Sequence, residues 1–499
     1  MAPGSLDSTT SARGSVRAPR GGVLSCKGWN QEAALRMLMN TLDPDVAEHS
    51  ELLIACGVSG KPVEDWASYA AITDALKTLD TDQTLLVQSG RLAGIVSTSA
   101  AAPRVLISGN TTAENWMYVG TQGALEETYE TYRGAARIHF GGDLAGRLIV
   151  SAGMGGLGGA QPLAAQMNGA AFLGIDADAT RIKRRVKSGY CDVMVNSLDE
   201  ALRILKNAVR VRAARSVGLV GNAADVITEL AERGVVPDLL TDRTSAHDPL
   251  RGYWPQGLSL AEAAEMRRGN PAEALRRSLE SIAAQVRAMI ELRKLGAIVF
   301  DSGNGIFARA REAGVADAAT IPHFDDTNLA AALAENRAPM RWIALSGEPS
   351  DINRIDRLVL ELFPEDEIPA RWIPLAQKHV RTQGLPARVC WMLHADRARF
   401  AAAVNDLVAR GELKGPIVLG RDFRDCGATV VSSDASAPET SELANAPWLR
   451  KILDAASSAS WAAIPTRGAG ATEAVRIGQA IVADGLPEAR GRIELVMSR

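Results

Sequence analysis

Along the chain, short apolar runs alternate with segments whose apolar positions recur at helical spacing, and glycine-rich or polar stretches end most of them. Residues 30–39 have the helical spacing and 43–46 read as a connection. ELLIACG (51–57) reads as a strand running into Gly57 and Gly60, and residues 66–79 as a helix. TLLVQ (84–88) and RVLI (104–107) carry the alternation or apolar run of short buried strands. The first region is therefore expected to be α/β and to end near Trp116, where residues 117–140 lead toward a central unit.

That unit is organised around residues 144–178. Leu148, Ile149 and Val150 form a buried run, five glycines follow at Gly153, Gly155, Gly156, Gly158 and Gly159, a helix-forming segment extends to Ala171, and a second apolar run ends at Asp176. The alternation continues with a helix over 198–214, a strand over 217–220, a helix over 223–233 and a strand over 238–241. Repeated βα units imply a parallel sheet with helices on both faces, and ligands of such sheets sit at the carboxyl ends of the strands. That rule selects Asn222, Ala223 and the segment Arg243 to Asp248. The loop over 243–258 is long and contains Pro249, Gly252, Pro255 and Gly257; loops of that length in compact domains are usually functional. A helix over 271–295, a strand AIVFD (297–301) and a turn from Ser302 to Gly305 come next. Beyond about Pro322 the texture changes to a mixed domain, and signals weaken after Ala469.

Gly153, Gly155 and Gly158 have the G-x-G-x-x-G spacing, which allows a tight turn and close backbone approach to a pyrophosphate. The following helix would direct its amides at the phosphates, and Asp176, about 20 residues on, would accept from the adenosine ribose. The alternative is a glycine-rich packing turn.

Composition narrows the class. With 499 residues the chain should form two or three domains, and 46% hydrophobic with 23% charged residues is an ordinary globular content. A formal net charge of -3 gives no reason to expect nucleic acid or an anionic membrane as partner. No run of 18 apolar residues suggests a membrane span, and residues 1–20 read as a disordered tail without the apolar core of a signal peptide. A cytoplasmic enzyme is expected. The five cysteines, Cys26, Cys56, Cys191, Cys390 and Cys426, and the six dispersed histidines form no metal spacing, so no metal is expected.

In order, GTQGALEETYETY (120–132), SAGMGGLGGAQPLAA (151–165), TSAHDPLRGY (244–253), RWIALSGEPSDI (341–352), TQGLPARVCW (382–391) and GPIVLGRDFRDCG (415–427) resemble the urocanase (urocanate hydratase) family. The resemblance implies an α/β fold: a central Rossmann-like parallel-sheet domain over 119–325, flanked by a mixed α/β core from an N-terminal region (21–118) and a C-terminal catalytic region (326–499). It also implies a homodimeric hydro-lyase with tightly held NAD+ acting as an electrophile and not as a hydride acceptor, and a small imidazole acrylate as substrate. Water adds to the activated imidazole and an imidazolone propionate is released. Carried over by motif, dinucleotide contacts fall on Cys56, Gly57, Asn110, Gly156, Leu157, Gly158, Asp176, Arg181, Asn222, Ala223, Arg243, Thr244, Ser245, Ala246, His247, Tyr253 and Trp254. The family's active-site cysteine matches Cys426, and Arg341 matches the arginine that holds the substrate carboxylate, for which a bidentate guanidinium is well suited. Cys426 is flanked by Arg421, Asp422, Arg424 and Asp425, so the local field does not clearly favour a thiolate; it either transfers protons or lines the cavity. Asp425 and His247 are candidates for acid or base work, against structural hydrogen bonding and loop capping.

The departures from the family pattern concern the substrate. Cys56 and Ser302 stand where tyrosines are usual, Asn110 and Arg243 where glutamines are usual, and Asp176 where a glutamate is usual; Thr466 to Gly470 replaces a His-His-Gly-Gly-Gly segment. A polar site that loses hydroxyls and a histidine pair no longer discriminates in the same way. The reading favoured is a hydratase for a modified urocanate, such as thiourocanate from ergothioneine breakdown or a methylated form, with Cys56 and Ser302 at the substrate. The alternatives are ordinary urocanate hydration in histidine degradation and a catalytically degenerate NAD-binding relative.

Overall fold

A computed structural model of the chain describes residues 15–57, 60–109, 116–421, 459–464 and 479–498. In chain order its strands are β1 (Gln83–Gln88), β2 (Arg91–Ser97), β3 (Val105–Ser108), β4 (Leu148–Ala152), β5 (Ala171–Asp176), β6 (Val193–Val195) and β7 (Arg215–Val220). They continue with β8 (Leu239–Asp242), β9 (Ile298–Val299), β10 (Arg337–Ala344), β11 (Ala387–Leu393), β12 (Ile417–Arg421), β13 (Trp461–Ile464) and β14 (Gln479–Ala483).

β4 to β9 form a six-stranded sheet in the order β6-β7-β5-β4-β8-β9, parallel throughout. Successive residues of a strand point to opposite faces, and both faces are covered, as parallel sheets require. Val150, Leu173, Val217 and Leu240 pack with the helices Leu198–Arg210, Ala223–Glu232 and Pro271–Lys294. Their neighbours Ile149, Phe172 and Leu239 pack on the opposite side with Leu125, Tyr129 and Tyr132 of the helix Thr121–His139.

The remaining strands make a mixed eight-stranded sheet, β11-β10-β12-β14-β13-β3-β1-β2. Its two halves come from opposite ends of the chain and join where β3 runs parallel to β13, with Val105 opposite Trp461. Val105, Ile107, Val418, Trp461 and Val482 share one core, so the two terminal regions form a single layer. The helix Thr121–His139 is common to both bodies, because the cluster that holds it also contains Trp342 of β10 and Trp391 of β11.

Several local expectations are corrected. Residues 51–57 do not form a strand: Ser50–Leu52 is a 3-10 turn, Leu53 has φ 60°, and only the isolated bridges His49–Ile54 and Cys56–Gly60 occur. The helix after the glycine turn ends at Met167, not near Ala171, and the helix expected over 198–214 stops at Arg210. AIVFD is a strand only at Ile298–Val299. The helix Ala179–Lys187 and strands β2 and β6 were not anticipated. Part of the expected N-terminal tail is attached: Arg17 pairs with Asp43 and Asp45, and the Arg20 guanidinium donates to the Gly384 carbonyl at 3.0 Å.

Candidate functional site

β4 connects to β5 on one side and lies beside β8 on the other, so the chain changes direction across the sheet between β4 and β8. A crevice opens at the carboxyl ends of strands at such a point. The register aligns Ala152 with Asp242, and the glycine turn and the 243–248 loop leave the sheet side by side. Gly153 has φ +86°, and a Cβ there would lie 2.3 Å from the Arg243 carbonyl oxygen. A Cβ on Gly158 would lie 2.1 Å from the Gly153 carbonyl oxygen, and one on Gly156 would lie 2.4 Å from the Tyr118 hydroxyl. At Gly153 and Gly158 the neighbouring backbone leaves no space for a side chain, and at Gly156 the Tyr118 and Glu48 side chains would have to move. The helix after the turn, Gln161–Met167, is only seven residues long, so the donors presented at this point are the amides of the turn itself.

Those amides are partly committed. Asp176 Oδ2 accepts from Met154 N at 2.8 Å and Oδ1 from Asp178 N at 2.9 Å. Burial pushes the Asp176 carboxyl up, against the pull of Arg181 and these two amides. Arg181 lies between Asp176 at 3.8 Å and Glu48 at 3.7 Å, and its Nε is buried without a hydrogen-bond partner among the described residues. Behind the turn, buried Arg185 donates to the Met154 carbonyl and the Thr121 hydroxyl, and Thr121 donates to the Gly156 carbonyl. Glu48 was missed in the sequence: one of its oxygens accepts from both Gly57 N, at 2.9 Å, and Gly156 N, at 2.6 Å. An acid 108 residues before its partner in the chain leaves no local signal.

The loop after β8 is organised by Asp242, also missed. Its buried carboxylate accepts from Thr244 N at 2.9 Å, Thr244 Oγ1 at 2.5 Å, Asn304 Nδ2 at 2.5 Å and Gln285 Nε2 at 2.7 Å. Burial nevertheless raises its pKa, with those four bonds opposing. The signal available was its position as the last residue of a parallel strand beside the switch point. Ser302, expected at the substrate, is buried with its hydroxyl donated to the Asp242 carbonyl. The Tyr253 phenol is likewise turned into the core, donating to Gln285 Oε1 at 2.5 Å. Asn222 caps the helix Ala223–Glu232 and donates to the Trp254 carbonyl at 2.8 Å, while Arg267 lies 4.5 Å over the Trp254 ring. Arg243 faces Glu127 at 3.5 Å and lies 5.4 Å over the Phe324 ring. Ala246 is buried, and the His247 carbonyl accepts from Arg309 at 3.0 Å. The loop thus joins Asn222, Ala223 and Trp254 to the glycine turn along one edge of the sheet.

The N-terminal region completes the other wall. A Cβ on Gly57 would lie 3.6 Å from Ser245 Oγ, and the Cys56 Cβ is 3.6 Å from where a Gly156 side chain would begin. Half-buried Cys56 and Leu157 pack on Val46, Ala55 and Tyr118. Arg341, on β10, is buried and donates to the Met117 carbonyl at 2.9 Å, one residue from Tyr118. Residues 117–118 therefore link the expected carboxylate arginine to the glycine turn. Asn110, Asp425, Cys426 and residues 466–470 lie outside the described residues. Among the described residues no cluster of His, Cys, Asp and Glu could hold a metal, and no helix is long and apolar enough to cross a membrane.

The geometry is that of a tight glycine turn at the switch point of a parallel sheet, with Arg181 held between two carboxylates beside it and a second wall from the N-terminal region. The chain matches three family descriptions: the urocanase N-terminal domain over residues 16–149, the urocanase Rossmann-like domain over 120–327 and the urocanase C-terminal domain over 332–499. With matched segments running from residue 16 to residue 499, the chain belongs to the urocanase family, whose members are hydro-lyases of the urocanate hydratase type.

Proposed function

We propose that the chain is an NAD+-dependent hydratase of a substituted urocanate, carrying sulfur or a methyl group on the imidazole, and that it works as a homodimer. The observation that carries the substrate reading is the wall beside Gly156: a half-buried cysteine, Cys56, stands there in an apolar cluster with Leu157, where a tyrosine is usual. A thiol is smaller than a phenol, with a polarisable sulfur in place of the hydroxyl oxygen, and leaves room for a bulkier, softer ring substituent. The second departure points the same way, since the Ser302 hydroxyl is already donated to the Asp242 carbonyl.

The cradle fits NAD. Backbone excludes side chains at Gly153 and Gly158, and Arg181 keeps a buried Nε–H beside Asp176. Leu157 and Gly158 would offer their amides to the pyrophosphate, Gly156, whose amide goes to Glu48, would give it close backbone approach, and Asp176 would take a ribose hydroxyl, because an ionised carboxylate has lone pairs beyond the two already used. When bound, oxidised nicotinamide supplies the electrophile that makes the imidazole susceptible to water. Arg341 would orient the substrate carboxylate from β10, and His247, Asp425 and Cys426 are the groups proposed to move protons.

The test is loss of ultraviolet absorbance when purified protein of measured NAD content meets urocanate, 2-thiourocanate, its S-methyl form and N-methylurocanates side by side. A kcat/KM at least about tenfold higher for one substituted compound supports the reading. Preference for plain urocanate would return the chain to ordinary urocanate hydration.

A further inference from the structure

Glu48 touches the glycine turn from outside the Rossmann-like domain. It sits at the base of a strap: Glu48 N donates to the Ala55 carbonyl at 3.1 Å, and His49 and Ile54 exchange backbone hydrogen bonds across the turn at Leu53. The strap is stapled to the helix Ala179–Lys187 by Arg184, which donates to the Ala47 carbonyl at 2.7 Å, the Asp45 carbonyl at 2.9 Å and the Pro44 carbonyl at 3.0 Å. With its base fixed, the Glu48 side chain is only 6% exposed and reaches two segments at once. Oε1 takes Gly57 N from the end of the strap and Gly156 N from the turn, and Oε2 faces Arg181.

We propose that Glu48 is a positioning residue of the cofactor site, acting as a clasp that holds the N-terminal strap closed over the glycine turn. The inference rests on NAD being the cofactor. Asp176 occupies the Met154 amide and Glu48 the Gly156 amide, whereas among the described residues no acceptor takes the amides of Gly155, Leu157 or Gly158. The two carboxylates fix the outline of the turn and leave those amides for phosphate oxygens. An anion that merely competed with phosphate would need only Gly156. One oxygen shared between Gly57 and Gly156 instead ties the N-terminal strap to the glycine turn, and a dinucleotide held by that turn is expected to leave more slowly while the tie holds.

Two near-isosteric variants separate reach from charge. Glu48→Asp keeps the charge but is one methylene too short to take both amides; Glu48→Gln keeps the reach and an acceptor oxygen but loses the charge. Full-length proteins are loaded with NAD, and release is followed by HPLC while an enzyme that destroys free NAD prevents rebinding. The clasp predicts release accelerated about tenfold or more in Glu48→Asp and within about threefold of the unsubstituted protein in Glu48→Gln. Three results overturn it: slower release in either variant, the opposite pattern, or unchanged release in both with only the melting temperature lowered. If the unsubstituted protein takes up no NAD, the cofactor reading itself has failed; if it holds NAD and Glu48→Asp holds it equally long, only the clasp has.

Discussion

The Gly153 α-carbon and the Arg243 carbonyl oxygen are so close that a Cβ on Gly153 would stand 2.3 Å from that oxygen, with Gly153 already at φ +86°. Two loops from neighbouring parallel strands thus use one glycine to meet at the switch point. Gly153→Ala combines left-handed strain of about 1–2 kcal/mol with overpacking of about 1–3 kcal/mol. Gly141, at φ +62° with no atom within 4 Å of a built Cβ, is the control, and Gly141→Ala should cost the strain alone. Denaturant midpoints should separate the two variants, and Gly153→Ala should also retain less NAD after gel filtration. Equal losses would mean that the approach yields easily.

Asp242 supplies acceptors to Thr244, Asn304 and Gln285 together. In Asp242→Asn one acceptor becomes a donor facing donors, which should cost about 1–3 kcal/mol and loosen the loop carrying Thr244 to His247. Melting temperature and NAD retention should fall together. A stability loss with NAD retention unchanged would confine Asp242 to a packing role.

Glu126 is fully buried in the helix between the two sheets, accepting from Trp391 N at 2.6 Å beside Cys390. Burial raises its carboxyl well above the usual range, with Glu130 adding to the effect while the Trp391 amide and Arg388 oppose it. A raised folded-state pKa gives stability that is complete below the unfolded value, near 4.3, and lost as pH rises through the folded value. Buried Glu130, Asp176, Asp242 and Asp356 shift in the same direction. Glu126→Gln keeps the acceptor for Trp391 N and cannot ionise. Its stability relative to the unsubstituted protein should therefore rise as pH goes up from the unfolded value near 4.3, measured by urea midpoints at each pH. A difference that shrinks with pH would contradict the assigned direction.

Substrate preference should follow the wall residues. Cys56→Tyr is expected to raise kcat/KM for urocanate relative to 2-thiourocanate by about tenfold or more. Arg243→Gln removes a partly buried contact to Glu127 and the face of Phe324, so it should change stability by about 1 kcal/mol or less while moving the same ratio. Parallel steady-state assays decide; an unchanged ratio in both variants would separate these positions from ring recognition.

The alternation of apolar runs, the glycine spacing and Asp176 at the next strand end were sufficient to read the parallel sheet, its strands β4, β5, β7 and β8, and the loops that follow them. These features are local: side-chain periodicity and backbone demands are written within a few residues of where they act. The helix Thr121–His139 was unreadable by that means because it is packed from both sides, burying Glu126, Thr128, Glu130 and Thr131 with Leu125 and Tyr129, so no polar stripe marks it. Position in space decided the rest. Glu48 reaches the glycine turn from another domain, Asp242 serves a loop and a helix distant in sequence, and the two chain ends join only when β3 pairs with β13. Ser302 and Tyr253, which the family resemblance assigned to substrate and cofactor, have their hydroxyls bonded to the Asp242 carbonyl and Gln285, because a buried hydroxyl bonds to whatever acceptor the fold brings within reach.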